Sequence, residues 1–175
     1  MSEFKDLIIL IVDPDGHSKA QLRKLLAMLG VKTVMSTSAT DEALVWLRKE
    51  HFSGVFLDEG AGPLKPLAFL KMLRRDLQTT DVTVPVVLIS AGTEASRIMA
   101  ARDAGMNDVI AKPVSALTIE RKLRALLAAP EPFVTAKTFV GPDRRHNQAA
   151  RRQFGERPSE QDRRARKPRF APVPR

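Results

Sequence analysis

Four polar residues stand at the ends of short apolar runs in this 175-residue chain. Asp13 follows residues 7–12, Asp58 follows 54–57, Ser90 follows 84–89, and Lys112 comes just after the pair Val109-Ile110. A carboxylate can attack a phosphoryl group and carry it as an aspartyl phosphate. That chemistry needs a hard cation, and Mg²⁺ takes its oxygen ligands from one or two carboxylates plus water. It also benefits from a fixed positive charge and a hydroxyl aimed at the transferred oxygens. Asp58 is the candidate nucleophile and phosphoacceptor. Asp13, joined by Asp15, is the candidate support for Mg²⁺, with Asp58 as the other metal ligand. Lys112 would pair with the phosphoryl group and Ser90 would donate a hydrogen bond to it. Lys112-Pro113 is a candidate cis peptide. A lone Asp after a strand is ordinarily a loop cap; convergence of all four on one cleft is what carries the reading.

Convergence requires elements that end together. Residues 7–12 read as a buried strand. Residues 18–29 have apolar positions at 22, 25, 26 and 29, a helical spacing, and stop at Gly30. Residues 31–36 give a second strand, and 40–49 a helix with Thr40 as N-cap. A strand at 54–57, a helix at 65–77, a strand at 84–89 and a helix at 93–104 follow. A strand around 109–110 and a helix at 115–127 complete the series. Five βα units imply an α/β fold: a five-stranded parallel sheet with helices on both faces. In such sheets, functional groups collect outside the strand carboxyl ends, where the strand order reverses.

Composition narrows the classes. Hydrophobic residues make up 43% of the chain, enough for a core. The chain has no Cys, which excludes a disulfide framework, a thiolate metal site and a cysteine nucleophile. Three scattered His residues, at 17, 51 and 146, do not make a metal site. The early apolar run is too short for a membrane span and lacks signal-peptide flanks. A cytoplasmic protein without membrane insertion is therefore expected. The chain lacks a Gly-rich nucleotide loop, a catalytic triad and a metalloenzyme signature, so an enzyme with turnover is not expected.

The net charge of +9 is uneven. Residues 1–130 hold 17 basic and 15 acidic residues, and 131–175 hold 12 and 5. The basic residues also change type, from 8 Arg and 9 Lys before 131 to 10 Arg and 2 Lys after it. Most of the twelve prolines lie at 130 or beyond. Two domains are thus expected: a folded body, 1–129, and an arginine- and proline-rich tail, 130–175, extended, largely irregular and flexible without ligand. A polycation that only confers solubility could use either basic residue. Arg differs by its planar fork, which binds phosphate or the guanine edge and stacks on flat rings. Asp-Arg-Arg occurs at 143–145 and again at 162–164, fitting either a ligand with two similar halves or plain low complexity.

Asp13, Asp58, Ser90-Ala91 and Lys112-Pro113, in that order after the first, third, fourth and fifth strands, resemble the receiver domain of two-component response regulators, the CheY-like, flavodoxin-like (βα)5 fold. The resemblance covers about residues 5–128. It implies phosphoryl transfer from a histidine kinase to Asp58. The chain departs from the family pattern at three places. Pro14 stands where a second acidic residue is usual after the first strand. The segment Asp58-Glu59-Gly60-Ala61-Gly62-Pro63 lacks the usual Met-Pro. Val109 replaces the aromatic switch residue of the fifth strand. The departures bear on Mg²⁺ binding, on phosphorylation and on the aromatic switch.

The tail, with Pro132-Phe133-Val134 and then Phe139-Val140-Gly141-Pro142-Asp143-Arg144-Arg145, resembles the extension of the Cle class of alphaproteobacterial CheY-like proteins. That resemblance implies cyclic di-GMP as ligand, a flagellar motor switch or chemotaxis protein as partner, and recruitment to the flagellated cell pole. Cyclic di-GMP presents two phosphates and two guanines, which Arg can neutralise, hydrogen-bond and stack on. Arg144, Arg145, Arg151 and Arg152 are the first candidates, followed by Arg157, Arg163 and Arg164. Asp143 could accept from the guanine N–H donors or cap a turn after Pro142. Trp46 falls on the flank of the 40–49 helix, with Glu42 one turn earlier on the same side. The pair could stack a guanine and accept its donors, or Trp46 could cover the rim of the core.

The leading function is a ligand-responsive signalling adaptor: cyclic di-GMP orders the tail against the body and changes which protein the body docks on. The alternative is a conventional phosphoacceptor phosphorylated on Asp58, with a passive tail. Nonspecific nucleic-acid binding ranks third, for want of interleaved aromatics.

Overall fold

The structure is a computed structural model that describes residues 2–92, 94–128, 133–135 and 140–143. Five parallel strands, β1 (Ile8–Val12), β2 (Thr33–Thr37), β3 (Gly54–Asp58), β4 (Val86–Ser90) and β5 (Asp108–Ala111), lie in the order β2-β1-β3-β4-β5. Between and after them run α1 (Gly16–Met28), α2 (Thr40–Lys49), α3 (Pro66–Leu73), α4 (Ala95–Asp103) and α5 (Ala116–Leu127). This is the flavodoxin-like (βα)5 arrangement that the alternation implied, and its strand order reverses between β1 and β3.

The strands are nearly continuous apolar runs because both faces of the sheet are covered. Alternate residues Ile9, Ile11, Phe56, Val87, Ile89 and Ile110 join Leu22 and Leu26 of α1 and Ile119 and Leu123 of α5 in one buried cluster. The helical stripes set this up: 22 and 26, and 119 and 123, are each one turn apart. On α2 and α3 the buried positions Ala43, Leu44 and Leu47, and Phe69, Leu70 and Leu73, repeat that spacing.

Helix ends follow local chemistry. Asp15 caps α1 by accepting from the Ser18 amide at 2.6 Å, and Ser115 caps α5 by accepting from the Thr118 amide at 3.2 Å. After α1 the Gly30 amide donates to Ala27 O and the Val31 amide to Leu26 O, a Schellman end that needs the glycine's φ of +94°. Thr40 is not the N-cap of α2. It is the first helical residue, and its buried hydroxyl accepts from the Leu64 amide at 2.9 Å. The nearby Thr37 hydroxyl instead accepts from the Ala39 amide at 3.0 Å.

Two expectations are corrected. The 65–77 pattern overran: α3 ends at Leu73, and Leu77 is fully exposed. The reason is Arg74, a buried cation whose guanidinium donates to Val82 O, Val84 O, Gly105 O and Asn107 Oδ1 at 2.7–3.0 Å. These contacts turn the chain toward β4. The stretch expected to be largely irregular beyond 129 also holds regular structure among its described residues. β6 (Phe133–Thr135) and β7 (Val140–Pro142) pair antiparallel, with Phe133 opposite Pro142. The Phe133 ring lies 5.0 Å from the Arg74 guanidinium. The compact unit accordingly runs to Asp143. The expected tail arginines Arg144, Arg145, Arg151, Arg152, Arg157, Arg163 and Arg164 lie outside the described residues.

Candidate functional site

Parallel pairing makes the strand carboxyl ends coincide. Val12 pairs with Leu57, Asp58 with Ile89 and Ser90 with Ala111. Backbone bonds carry the ladder one residue further: Asp13 N to Thr37 O, Glu59 N to Ile89 O and Lys112 N to Ser90 O, at 2.9–3.1 Å. Asp13, Asp58, Ser90 and Lys112 therefore share one edge of the sheet. The Lys112-Pro113 peptide is cis, as is Gly62-Pro63.

Asp58 is buried and held from two sides. Its Oδ1 accepts from the Gly60 amide at 2.8 Å, and its Oδ2 lies 2.6 Å from Lys112 Nζ. Oδ2 accepts no well-angled hydrogen bond among the described residues, so the ammonium alone faces it there. The Asp58 carboxylate in contact with it, helped by the charges of Asp13 and Glu59, pushes the Lys112 ammonium above its usual value against the opposing effect of burial. A Cβ at position 60 would stand 3.1 Å from Asp58 Oδ1, close enough that the carboxylate would have to shift by a few tenths of an ångström.

Asp13 is also buried, and its Oδ1 accepts from the Asp15 amide at 2.8 Å. Burial pushes its carboxyl up, the Asp15 amide opposes this, and the Asp58 charge adds to the rise. Two buried carboxylates on adjacent strands, with one ammonium in contact, form an oxygen donor set. Such a set fits a hard divalent cation that keeps several waters. Asp15, exposed, caps α1 through Oδ1, and the Ser18 amide holds it below the usual carboxylate range. No group of three ligating side chains occurs among the described residues. Beside Asp13 and Lys112, a cavity of about 120 Å³ opens between α1 and the β5–α5 connection, walled by Leu22, Leu25, Ile89 and Val114.

Ser90 is not free to face Asp58. Its hydroxyl lies 2.6 Å from Glu59 Oε2 and also within hydrogen-bond reach of Gly92 O. Glu59 Oε1 accepts from the Ala91 amide at 2.7 Å. The Ser90 hydroxyl, then the Ala91 amide, hold the Glu59 carboxyl below its usual value. Sequence reasoning gave Glu59 no role. The signal was present in Asp58-Glu59, since a second acid at a strand's carboxyl end falls beside the neighbouring strand's terminal polar residue.

Trp46 is half-buried on α2, and Glu42 accepts a hydrogen bond from the Thr37 hydroxyl. Glu42 is therefore engaged with the end of β2, and neither residue belongs to the acidic cluster. Asp143, half-buried, follows β7. Val109 is buried in β5.

The model of the response regulator receiver domain matches residues 9–124. The chain belongs to that family. It is 31% identical over 119 residues to the chemotaxis protein CheY-3 of Vibrio cholerae, covering 68% of this chain and 90% of that protein. It is 28% identical over 127 residues to the probable transcriptional regulator ycf27 of Porphyra purpurea, covering 73% of this chain and 50% of that protein. Among solved structures, a putative response regulator from Chloroflexus aurantiacus matches with TM-score 0.64 and 25% identity, covering 70% of this chain and 98% of that one. The receiver domain of a sensor histidine kinase from Pseudomonas aeruginosa, with a magnesium ion in its active-site cleft, matches with TM-score 0.63 and 19% identity, covering 70% and 98%. This chain is thus a CheY-like receiver signalling domain. No helix among the described residues is long and apolar enough to cross a membrane.

Proposed function

We propose that this receiver takes a phosphoryl group on Asp58 from a histidine kinase and signals through a chemotaxis or motor-switch protein. The observation that supports it most is the buried Asp58 carboxylate at 2.6 Å from Lys112 Nζ, with Asp13 on the adjacent strand end. An Asp58 carboxylate oxygen would form the new bond to phosphorus as the donor's leaving group departs with the electron pair of the bond that breaks. The Gly60 amide holds the carboxylate's other oxygen and fixes its plane. Lys112, kept charged by its surroundings, moves from Asp58 to the transferred oxygens and offsets their charge. Asp13 and Asp58 would hold Mg²⁺, which would supply further charge neutralisation at the phosphoryl oxygens. The partner class follows from the resemblance to CheY-3.

The test is incubation of the full chain with a small-molecule phosphodonor and Mg²⁺, followed by intact mass. One phosphoryl adduct, lost in Asp58→Asn, is expected. No adduct on the wild-type chain overturns the reading.

A second reading is supported by the shift to 10 Arg and 2 Lys after residue 130. The tail binds cyclic di-GMP, with Arg144, Arg145, Arg151 and Arg152 taking phosphate and guanine edges and Arg157, Arg163 and Arg164 adding to them. Binding then changes docking at the flagellar pole. Calorimetric titration of the full chain at about 0.15 M salt tests it, with GMP and GTP as controls. Micromolar binding of cyclic di-GMP alone is expected, and equal binding of all three nucleotides overturns it.

A further inference from the structure

The β4 end of the receiver cleft presents two donors, the Ser90 hydroxyl and the Ala91 amide, and Glu59 occupies both. Its Oε2 lies 2.6 Å from the hydroxyl, whose one proton Gly92 O also faces at 2.5 Å, and its Oε1 accepts from the amide at 2.7 Å, from a residue one position past Asp58. The contact bridges 31 and 32 residues of chain and ties the end of β3 to the turn that leads into α4.

A carboxylate gripping a hydroxyl and an amide presents two anionic oxygens to those donors, as a phosphoryl group would. The register places the donors beside the phosphoacceptor, because Asp58 pairs with Ile89 and Ser90 is next along β4. An acyl phosphate on Asp58 would therefore seek donors that already have an anionic partner. Both anions cannot hold them at once: the hydroxyl has one proton and the amide one hydrogen.

We propose that Glu59 is a built-in competitor of the phosphoryl group. Phosphorylation of Asp58 displaces the Glu59 carboxylate from Ser90 and Ala91, and this exchange of anions is the step that changes the β4–α4 turn. In the unphosphorylated protein Glu59 keeps the turn closed and lowers the affinity of the cleft for a phosphoryl group. A negative charge one residue from the acceptor adds repulsion to the occupied donors, and both effects have the same sign. The released carboxylate has a cation at hand in Arg97, in the first turn of α4, whose charge acts on it already. The device needs no aromatic side chain in β5, where this chain has Val109.

The inference rests on Asp58 being the phosphoacceptor, and the test separates the two. Beryllofluoride with Mg²⁺ serves as the phosphoryl mimic, titrated by calorimetry into the full-length wild type, Glu59→Ala, Glu59→Gln and Glu94→Gln. Glu94 is an exposed acid at the N-cap of α4, paired with Arg97 at 3.4 Å, and serves as the control for removal of a nearby negative charge. Glu59→Ala should bind the mimic at least fivefold more tightly than wild type, Glu59→Gln by an intermediate factor, and Glu94→Gln by less than twofold. In the absence of the mimic, the Ala91 amide should exchange with solvent at least tenfold faster in Glu59→Ala than in wild type. The mimic should restore its protection in both. Equal mimic affinity in wild type and Glu59→Ala, or unchanged Ala91 exchange, overturns the competitor role while leaving Asp58 as acceptor. An affinity gain in Glu94→Gln as large as in Glu59→Ala assigns the effect to charge and also overturns it. Failure of every variant to bind the mimic overturns the acceptor reading and the competition with it.

Discussion

The guanidinium of Arg74 lies 5.0 Å from the centre of the Phe133 ring, so a residue just past α3 and one from the stretch beyond α5 meet at a single buried cation. Arg74 also donates to three backbone carbonyls ahead of β4 and β5. The hairpin that carries Phe133 thus extends the receiver body, and its removal uncovers a cation that the fold keeps dry.

Replacing the ring by Phe133→Ala should destabilise the chain by about 1–2 kcal/mol, combining a partly desolvated cation–π contact with lost apolar area. Arg74→Met should cost more, about 3 kcal/mol or above, because Val82 O, Val84 O and Gly105 O would each lose a buried donor. Urea unfolding of the two variants ranks them. A larger loss in Phe133→Ala than in Arg74→Met would show that the carbonyl clamp matters less than its cover.

The sheet, its helices and the four residues at the strand ends were legible because each rests on a local signal. Apolar runs of strand length, one-turn spacings such as 22 and 26, and glycine stops at 30 and 105 all depend on nearby residues. Arg74 was not legible: an arginine at the end of a helical pattern looks like a solvated last turn, and only the tertiary fold brings Val82, Val84 and Gly105 to it. Glu59 was missed for a related reason, since its partners lie 31 and 32 residues away. The cap that Asp15 makes for α1 was not legible either, because adjacency to Asp13 in sequence says nothing about which way a cap residue's carboxylate points. Thr40 looked like a cap by type, yet the cap position fell one residue earlier, at Ala39.

Asp76 gives a stability effect with a definite pH sign. Its carboxylate accepts from Arg48 Nε at 2.7 Å and from the Gln78 amide at 3.0 Å, joining α2 to the turn after α3. The Arg48 hydrogen bond, then the Gln78 amide, hold its carboxyl below the usual carboxylate range. A depressed native value means that the unfolded chain takes up the proton first. The stabilisation is therefore complete above the unfolded value and is lost as pH falls through the native one. Asp76→Asn should cost about 0.5–1 kcal/mol at pH 7, the modest figure reflecting a partly exposed Arg48. The gap between variant and wild type should narrow as pH falls below the usual carboxylate range. Thermal melts at pH 7, 4 and 2.5 measure it, and a gap that persists undiminished at pH 2.5 would refute the assignment.

Lys112 and a divalent cation would compete for the same carboxylate. The ammonium lies 2.6 Å from Asp58 Oδ2, an oxygen that accepts no well-angled hydrogen bond among the described residues, and Asp13 stands on the adjacent strand end. Removing the ammonium in Lys112→Met leaves two buried carboxylates with no fixed positive charge in contact. At the effective dielectric of a half-buried site, one unit charge a few ångströms away is worth at least about 1.4 kcal/mol, or tenfold in affinity. Mg²⁺ should therefore bind Lys112→Met about tenfold more tightly than wild type. Asp13→Asn, which removes a ligand and keeps its shape, should bind it at least tenfold more weakly. The same two variants should part in the opposite sense without metal: Lys112→Met destabilised by its unpaired Asp58, Asp13→Asn stabilised by relief of a buried charge. Calorimetric Mg²⁺ titration and melting in a chelator read both properties. Tighter metal binding together with a lower melting temperature in Lys112→Met is the signature of a lysine that substitutes for the cation; weaker binding would mean that Lys112 orders the site for the metal rather than competing with it.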